Sequence, residues 1–192
     1  MPDPELVERV DALGSTSFEG HAYRHMGPGY PPLSGEGARI SGGRWNPPGS
    51  FPALYMGLDV PTVMAEFYRA AQRHLRPPQD LLPRRLYQYE IHLAAVLDLR
   101  PPMSRDAAGV SDRDLRGDDL RRCQAVGEAA HYLGLEGLLA PSAVGQGDVL
   151  VVFYSRLRAG SSVEVVGDEL WSSLPRLSES PIDEPSQERP EG

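Results

Sequence analysis

No lysine occurs in the 192 residues; all nineteen basic residues are arginine, against 27 acidic ones, and the formal net charge is −8. A coding bias in a GC-rich genome is the plain explanation for missing lysine. The acidic balance argues against direct nucleic-acid binding as the main activity, because such proteins present a basic face to the phosphate backbone. It leaves open a local anion pocket built from arginines. There is one cysteine, Cys123, which excludes an internal disulfide and, by itself, a structural zinc site. A reducing cytoplasm is the simplest home for such a chain. No apolar run approaches the roughly 18 residues of a membrane span, so no membrane role is expected. The N-terminal 13 residues lack both the basic and the apolar region of a signal peptide. The five histidines (His21, His25, His74, His92, His131) show no metal-ligand spacing, so no metal is expected. No Gly-x-Gly-x-x-Gly follows a strand, and no repeat of fixed period is present. Cys123 reads as a buried, inert thiol.

What is present reads as one α+β domain over residues 1–175. Leu6, Val10 and Leu13 mark a helix at residues 3–13. Residues 18–24 read as a strand, 25–50 as a long Gly/Pro/Ser-rich functional loop, and 52–58 as a buried strand. Asp59 is placed to cap a helix with Pro61 in its first turn, running to about residue 75 and ended by Pro77 and Pro78. Two strands follow, at 85–93 and 95–99, then a polar stretch to about 117. Asp118 or Asp119 caps a helix to about Leu133, ended by Gly134. Strands are expected at 137–140, 148–154 and 163–166. Beyond Pro175 apolar residues nearly vanish, and an acidic, Ser/Pro-rich tail at 176–192 is expected to stay disordered.

The most informative segment is 34–49. Gly42 and Gly43 permit a sharp turn or close approach. Arg44 presents a planar fork of donors suited to phosphate or carboxylate. Trp45 and Asn46 add a flat surface and a directional hydrogen-bonding group, and Pro47 and Pro48 stiffen the exit. Composition alone also permits a surface turn with a solvated arginine. In the same way Glu66 fits the solvated face of an amphipathic helix, although Met64 and Phe67 place it near the apolar side. Tyr55 fits a strand core, and Ser142 a turn after Pro141.

The run Gly43-Arg44-Trp45-Asn46-Pro47-Pro48-Gly49, followed by Leu54-Tyr55 and Ala65-Glu66, resembles the signature of the RES domain. The likeness covers about residues 20–155. It is looser late in the chain, at Gln124-Ala125-Val126-Gly127 and Pro141-Ser142-Ala143. Members of that family often have an asparagine near the start of the next strand, where this chain has Gly147 and Asp148. The resemblance implies a fold like that of the diphtheria-toxin-like ADP-ribosyltransferases, with a mixed, split sheet flanked by helices. It implies a toxin of a toxin–antitoxin pair that cleaves the nicotinamide–ribose bond of NAD by phosphorolysis or hydrolysis. The alternative is an ADP-ribosyltransferase that modifies a protein. It also implies a cognate antitoxin of the Xre/MbcA/ParS type as partner. Carried over by position, Glu66, Arg44 and Tyr55 are the candidate catalytic residues. Tyr23, Arg24, Arg44, Asn46, Tyr55 and Ser142 are candidates for binding NAD.

The chemistry of these residue types fits the reaction. Arg24 and Arg44 suit a pyrophosphate, and Tyr55 is able to stack on nicotinamide. Breaking the glycosidic bond builds positive charge on the ribose, which a carboxylate such as Glu66 would stabilise. Nicotinamide leaves as a neutral molecule from a cationic ring, so no strong general acid is required. NAD is then a substrate rather than a cofactor, and inorganic phosphate a possible co-substrate. Arg39 is one spare arginine able to help hold phosphate.

Overall fold

Apolar periodicity builds three helices on the pattern the sequence suggests. In the computed structural model, which describes residues 1–73, 75–145 and 147–174, α1 spans Pro4–Ala12, with the Asp3 carboxylate accepting the Glu5 N–H as its cap. It buries Leu6 and Val10. Helix α3 (Val60–Arg73) starts where Asp59 Oδ1 accepts the Thr62 N–H at 2.7 Å. Helix α6 (Arg121–Tyr132) follows Leu120 rather than an acidic cap. Asp119 still accepts the Arg121 N–H and pairs with its guanidinium. Gly134, at φ 74°, ends α6 as expected, with the Leu135 N–H returning to Ala130 O.

Three short helices interrupt segments expected to be irregular. Helix α2 (Glu36–Ser41) lies inside the long Gly/Pro segment, and α4 (Pro102–Ala108) and α5 (Asp112–Arg116) occupy the polar stretch. Each is two turns or less, too short to display a period. α5 forms through a reciprocal capping box between Ser111 and Asp114.

Six strands, β1 (Thr16–Met26), β2 (Leu54–Gly57), β3 (Arg84–Asp98), β4 (Gly137–Pro141), β5 (Asp148–Val152) and β6 (Ser162–Trp171), form one mixed sheet in the order β1-β2-β5-β4-β3-β6. All pairings are antiparallel except β3–β4. β1 also pairs along most of its length with β3, so the ladder from β1 through β2, β5, β4 and β3 closes on itself. The weak point of that circuit is β1 against β2, joined by the single pair Tyr23↔Gly57. The chain parts there, and the site described below occupies the gap.

The two strands expected at 85–93 and 95–99 are one strand that changes partners. Up to His92 it lies between β1 and β6; from Val96 it pairs with β4. At the changeover the buried Glu136 carboxylate accepts the N–H groups of Ala94 (2.6 Å) and Ala95 (2.8 Å). β5 stops at Val152, and Tyr154–Arg156 form a 3-10 turn instead of extending it. β6 is longer than its apolar stretch because its middle is exposed, with only Val163 and Trp171 buried.

One apolar core joins α1 and α6 to the sheet through Val10, Val126, Leu138 and Phe153; a second fills the bend of the sheet around Met56, Tyr89 and Leu150. A third, smaller one seats α3 through Val63 and Met64 against Leu86 and Trp171. Full burial of such side chains contributes about 1.5–3 kcal/mol each. The expected tail at 176–192, and His74, lie outside the described residues.

Candidate active site

A cavity of about 360 Å³ opens where β1 and β2 separate. β1 supplies Tyr23, Arg24 and His25; β2 supplies Tyr55; α3 supplies Glu66 and Arg69. The turn after α2 adds Gly42, Gly43 and Arg44. Helical geometry sets the α3 contribution: Glu66, Arg69 and Arg73 lie at i, i+3 and i+7 on one face. Met64, Phe67 and Ala71 of the same helix are buried in the core instead.

The turn is built tightly. Gly43 and Asn46 form a two-residue bridge, closed by the Gly43 N–H on Asn46 O at 2.9 Å. A β-carbon on Gly43 would fall on the Tyr55 hydroxyl and ring, which explains that glycine. Trp45 points inward and is 1% exposed, so its indole serves the core rather than a ligand. Asn46 is fully buried and does not line the cavity. Its amide donates to Ala38 O at 2.8 Å and to Phe51 O at 3.3 Å, and its Oδ1 accepts the Tyr55 hydroxyl at 2.7 Å. Tyr55 in turn accepts the Trp45 N–H at 2.8 Å. Burial holds its phenol well above the ordinary tyrosine range. Tyr55 is therefore a rigid, neutral wall whose hydroxyl is committed to the turn.

Arg44 leaves the tip of this turn. Its guanidinium donates to Asp114 O at 3.0 Å and to Gly117 O at 3.1 Å, at the end of α5. Burial lowers its pKa, the nearby Cys123 thiol works the other way, and the adjacent Arg69 charge lowers it further. Arg24 donates to Ser34 O at 2.9 Å, and burial lowers its pKa as well. Cys123 is buried, with its thiol pushed up to about 11 by desolvation, so it stays protonated.

Glu66 has a defined orientation. The Ser142 hydroxyl donates to Glu66 Oε1 at 2.7 Å and accepts the Val144 N–H at 3.2 Å. Ser142 is 1% exposed and sits behind the carboxylate instead of on the cavity wall. Gly147, at φ 67°, lets its loop lie directly on Thr62 and Asp59 at the start of α3, a position with no room for a side chain. The Ser142 N–H bonds to Gly147 O at 3.0 Å, so this glycine helps deliver the serine to the glutamate.

Three features were not read from the sequence. Arg69 and Arg73 join Arg24 and Arg44 on the wall, four arginines against the single carboxylate Glu66. Their i, i+3, i+7 spacing with Glu66 puts them on its helix face, but a solvated face has the same spacing, so the sequence held no distinguishing signal. Arg39 is tied instead to Glu36 at 2.7 Å and does not line the cavity. His25 is held neutral, with its pKa pushed down to about 3 by burial and then by Arg84 and Arg24. Gln124 and Gly127 of α6 brace the turn from behind. The Gln124 amide donates to Gly43 O at 2.9 Å, and a β-carbon on Gly127 would collide with the Trp45 carbonyl.

The gap in this mixed, split sheet thus holds one carboxylate, Glu66, among four arginines. Residues 21–174 match the RES domain, and the chain belongs to that family. It is 42% identical over 160 residues to the NAD(+) phosphorylase MbcT of Mycobacterium tuberculosis, covering 82% of this chain and 86% of that protein. The same figures hold for MbcT of Mycobacterium bovis. A chain in the crystal structure of the M. tuberculosis MbcT–MbcA toxin–antitoxin complex superposes with a TM-score of 0.81 at 39% identity, covering 88% of this chain and 92% of that one.

Proposed function

We propose that this protein is an NAD+ phosphorylase and the toxin of a toxin–antitoxin pair. The observation that carries the reading is a carboxylate, Glu66, fixed by Ser142 inside a cavity walled by four arginines. A neutral ligand would not call for that charge, and a purely anionic one would not call for Glu66. NAD has both requirements: a pyrophosphate for the arginines, and a ribose that becomes cationic as nicotinamide leaves. Glu66 stabilises the cationic sugar, Arg24 holds pyrophosphate oxygens, and Arg44 supplies a second anchored guanidinium for phosphate. Tyr23 and Tyr55 bound the flat ring, while Asn46 and Ser142 act from behind, on Tyr55 and Glu66 respectively.

The likeness to MbcT supports phosphate as the acceptor. The closed but weakly joined β1–β2 seam supports kinship with the diphtheria-toxin-like ADP-ribosyltransferases, whose sheets are also split. A relative crystallised with an antitoxin supports a cognate partner here, of the Xre/MbcA/ParS type, seated over the cavity mouth. No described helix is long and apolar enough to cross a membrane, and NAD as substrate points to the cytoplasm as the place of action.

The test is to incubate purified protein with NAD, with and without phosphate, and to follow nicotinamide. Phosphate-dependent release that falls about 10²–10³-fold in Glu66→Ala is the expected result. Absence of release, with label from NAD appearing on a lysate protein, would overturn this reading in favour of protein ADP-ribosylation.

A further inference from the structure

Two of the cavity's arginines share an unusual support. Arg44 donates to Asp114 O and Gly117 O, and Arg69 donates to Arg116 O at 2.9 Å and to Ala143 O at 2.5 Å. Both guanidiniums thus hang from the same turn, residues 114–117, and the Arg69 charge lies close enough to help lower the Arg44 pKa, after burial. Among the described residues neither has a carboxylate within 4.0 Å. Neutral carbonyls fix the forks in place without cancelling their charge. Two like charges held side by side at a cavity wall form a site built for a compact dianion. Arg69 stands one helical turn from Glu66, and the loop that receives it through Ala143 also carries Ser142 to Glu66. Arg24 approaches from β1, on the other side of the seam.

We propose that Arg69, paired with Arg44, forms the subsite for the acceptor phosphate, with Arg24 serving the pyrophosphate of NAD. This rests on the NAD phosphorylase reading. In the reaction a phosphate oxygen forms a bond to C1′ of the nicotinamide-bearing ribose as the C1′–N bond breaks. The bonding pair returns to the ring, which leaves as neutral nicotinamide, and the other product is ADP-ribose 1″-phosphate. Hydrogen phosphate dianion needs no proton removed for this step. Arg69 orients the nucleophile beside the carboxylate that stabilises the cationic sugar.

The experiment measures KM for phosphate and for NAD separately in Arg69→Gln, Arg69→Lys and Arg24→Gln, together with the product ratio. In Arg69→Gln the phosphate KM should rise about tenfold or more, as expected for loss of a charged, forked contact. The NAD KM should change less than about threefold, and ADP-ribose should grow at the expense of ADP-ribose 1″-phosphate. Lysine should restore part of the effect, and Arg24→Gln should show the reverse split. Equal rises in both KM values, or an unchanged phosphate KM, would overturn the assignment and leave Arg69 as a brace between α3 and the 114–117 turn. A parallel measurement uses inorganic phosphate alone, without NAD. The wild-type melting temperature should rise with phosphate, and Arg69→Gln should lose that rise while Arg24→Gln keeps it. That arm reads the subsite even if NAD is not cleaved, so failure of the proposed function and failure of the subsite are distinguishable. A phosphate-induced rise that survives in Arg69→Gln also overturns the proposal.

Discussion

Glu66 and Ser142 divide one task. On the proposed reading the carboxylate would face the reacting sugar, and the hydroxyl donating to it at 2.7 Å fixes where its charge points. Glu66→Ala should lower nicotinamide release by about 10²–10³-fold, the range seen when a group aimed at transition-state charge is removed. Ser142→Ala leaves the charge but frees its orientation, and kcat should fall about tenfold with little change in the KM for NAD. Equal losses in the two variants, measured by initial rates, would place Ser142 on the substrate itself. At this scale the Gly-rich motif made Arg44, Tyr55 and Glu66 legible as candidates, because a specific string of residues carries them. Arg69 and Arg73 were not legible. On a helix surface an arginine facing a cavity and one facing water have the same spacing, and only the β1–β2 gap distinguishes them. The work of Ser142 is likewise set by a partner 76 residues away, and that of Asn46 by how the turn closes on Ala38, Phe51 and Tyr55.

At the level of elements, long periodic segments declared themselves and short or partner-dependent ones did not. α1, α3 and α6 each run long enough to show an apolar face, whereas α2, α4 and α5 do not. Near Ala94, where two strands were expected, β3 runs on and changes partners, for a physical cause that no local pattern reveals. Glu136, 41 and 42 residues away, takes the N–H groups there, and also that of Arg158 at 2.7 Å. Burial alone would raise the Glu136 pKa, but these N–H groups and the Ser161 hydroxyl hold it below the ordinary 4.5. A folded-state pKa that is depressed contributes stability above the unfolded value, lost as pH falls below 4.5. Glu136→Gln should therefore destabilise the protein by about 2 kcal/mol at pH 7 and by progressively less below pH 4.5, in urea unfolding. A penalty that stays constant with pH would show that the charge is not what holds the changeover. The α6 brace makes a second prediction at this scale. Gly127→Ala pushes a methyl group onto the Trp45 carbonyl, and should cost about 2–3 kcal/mol, the upper part of the overpacking range. Because the turn bearing Arg44 would shift with Trp45, NAD cleavage should fall in the folded fraction as well. Full activity in a destabilised Gly127→Ala protein would separate the brace from the site.

For the molecule as a whole, charge is partitioned: −8 over the full chain, yet four arginines to one carboxylate in the cavity. Among the acidic groups that set the total are those of the C-terminal segment, and deletion of residues 177–192 should leave NAD turnover unchanged. The element that ties the cavity to global stability is His25. Its ring meets Phe67 of α3 edge-on at 5.2 Å and stacks on Trp171 of β6 at 6.0 Å, and its Nδ1 accepts the Arg84 guanidinium from β3 at 3.1 Å. Burial, then the charges of Arg84 and Arg24, push its pKa from 6.5 down to about 3. Between those values the unfolded chain takes up a proton that the folded protein refuses. Stability from this group is therefore complete above pH 6.5 and declines as pH falls toward 3, by at most about 1.4 kcal/mol per pH unit. The window opens two units above that of Glu136, so the two are separable. His25→Gln, which keeps an acceptor for Arg84, should flatten the stability profile between pH 6.5 and 4.5 relative to wild type in urea unfolding. Parallel profiles would remove His25 as the source. Because β1, α3 and β6 meet on this ring, acid should loosen the wall holding Arg24 and Glu66, visible as faster hydrogen exchange at β1 and α3 below pH 6.5 in wild type, with a smaller acid response there in His25→Gln.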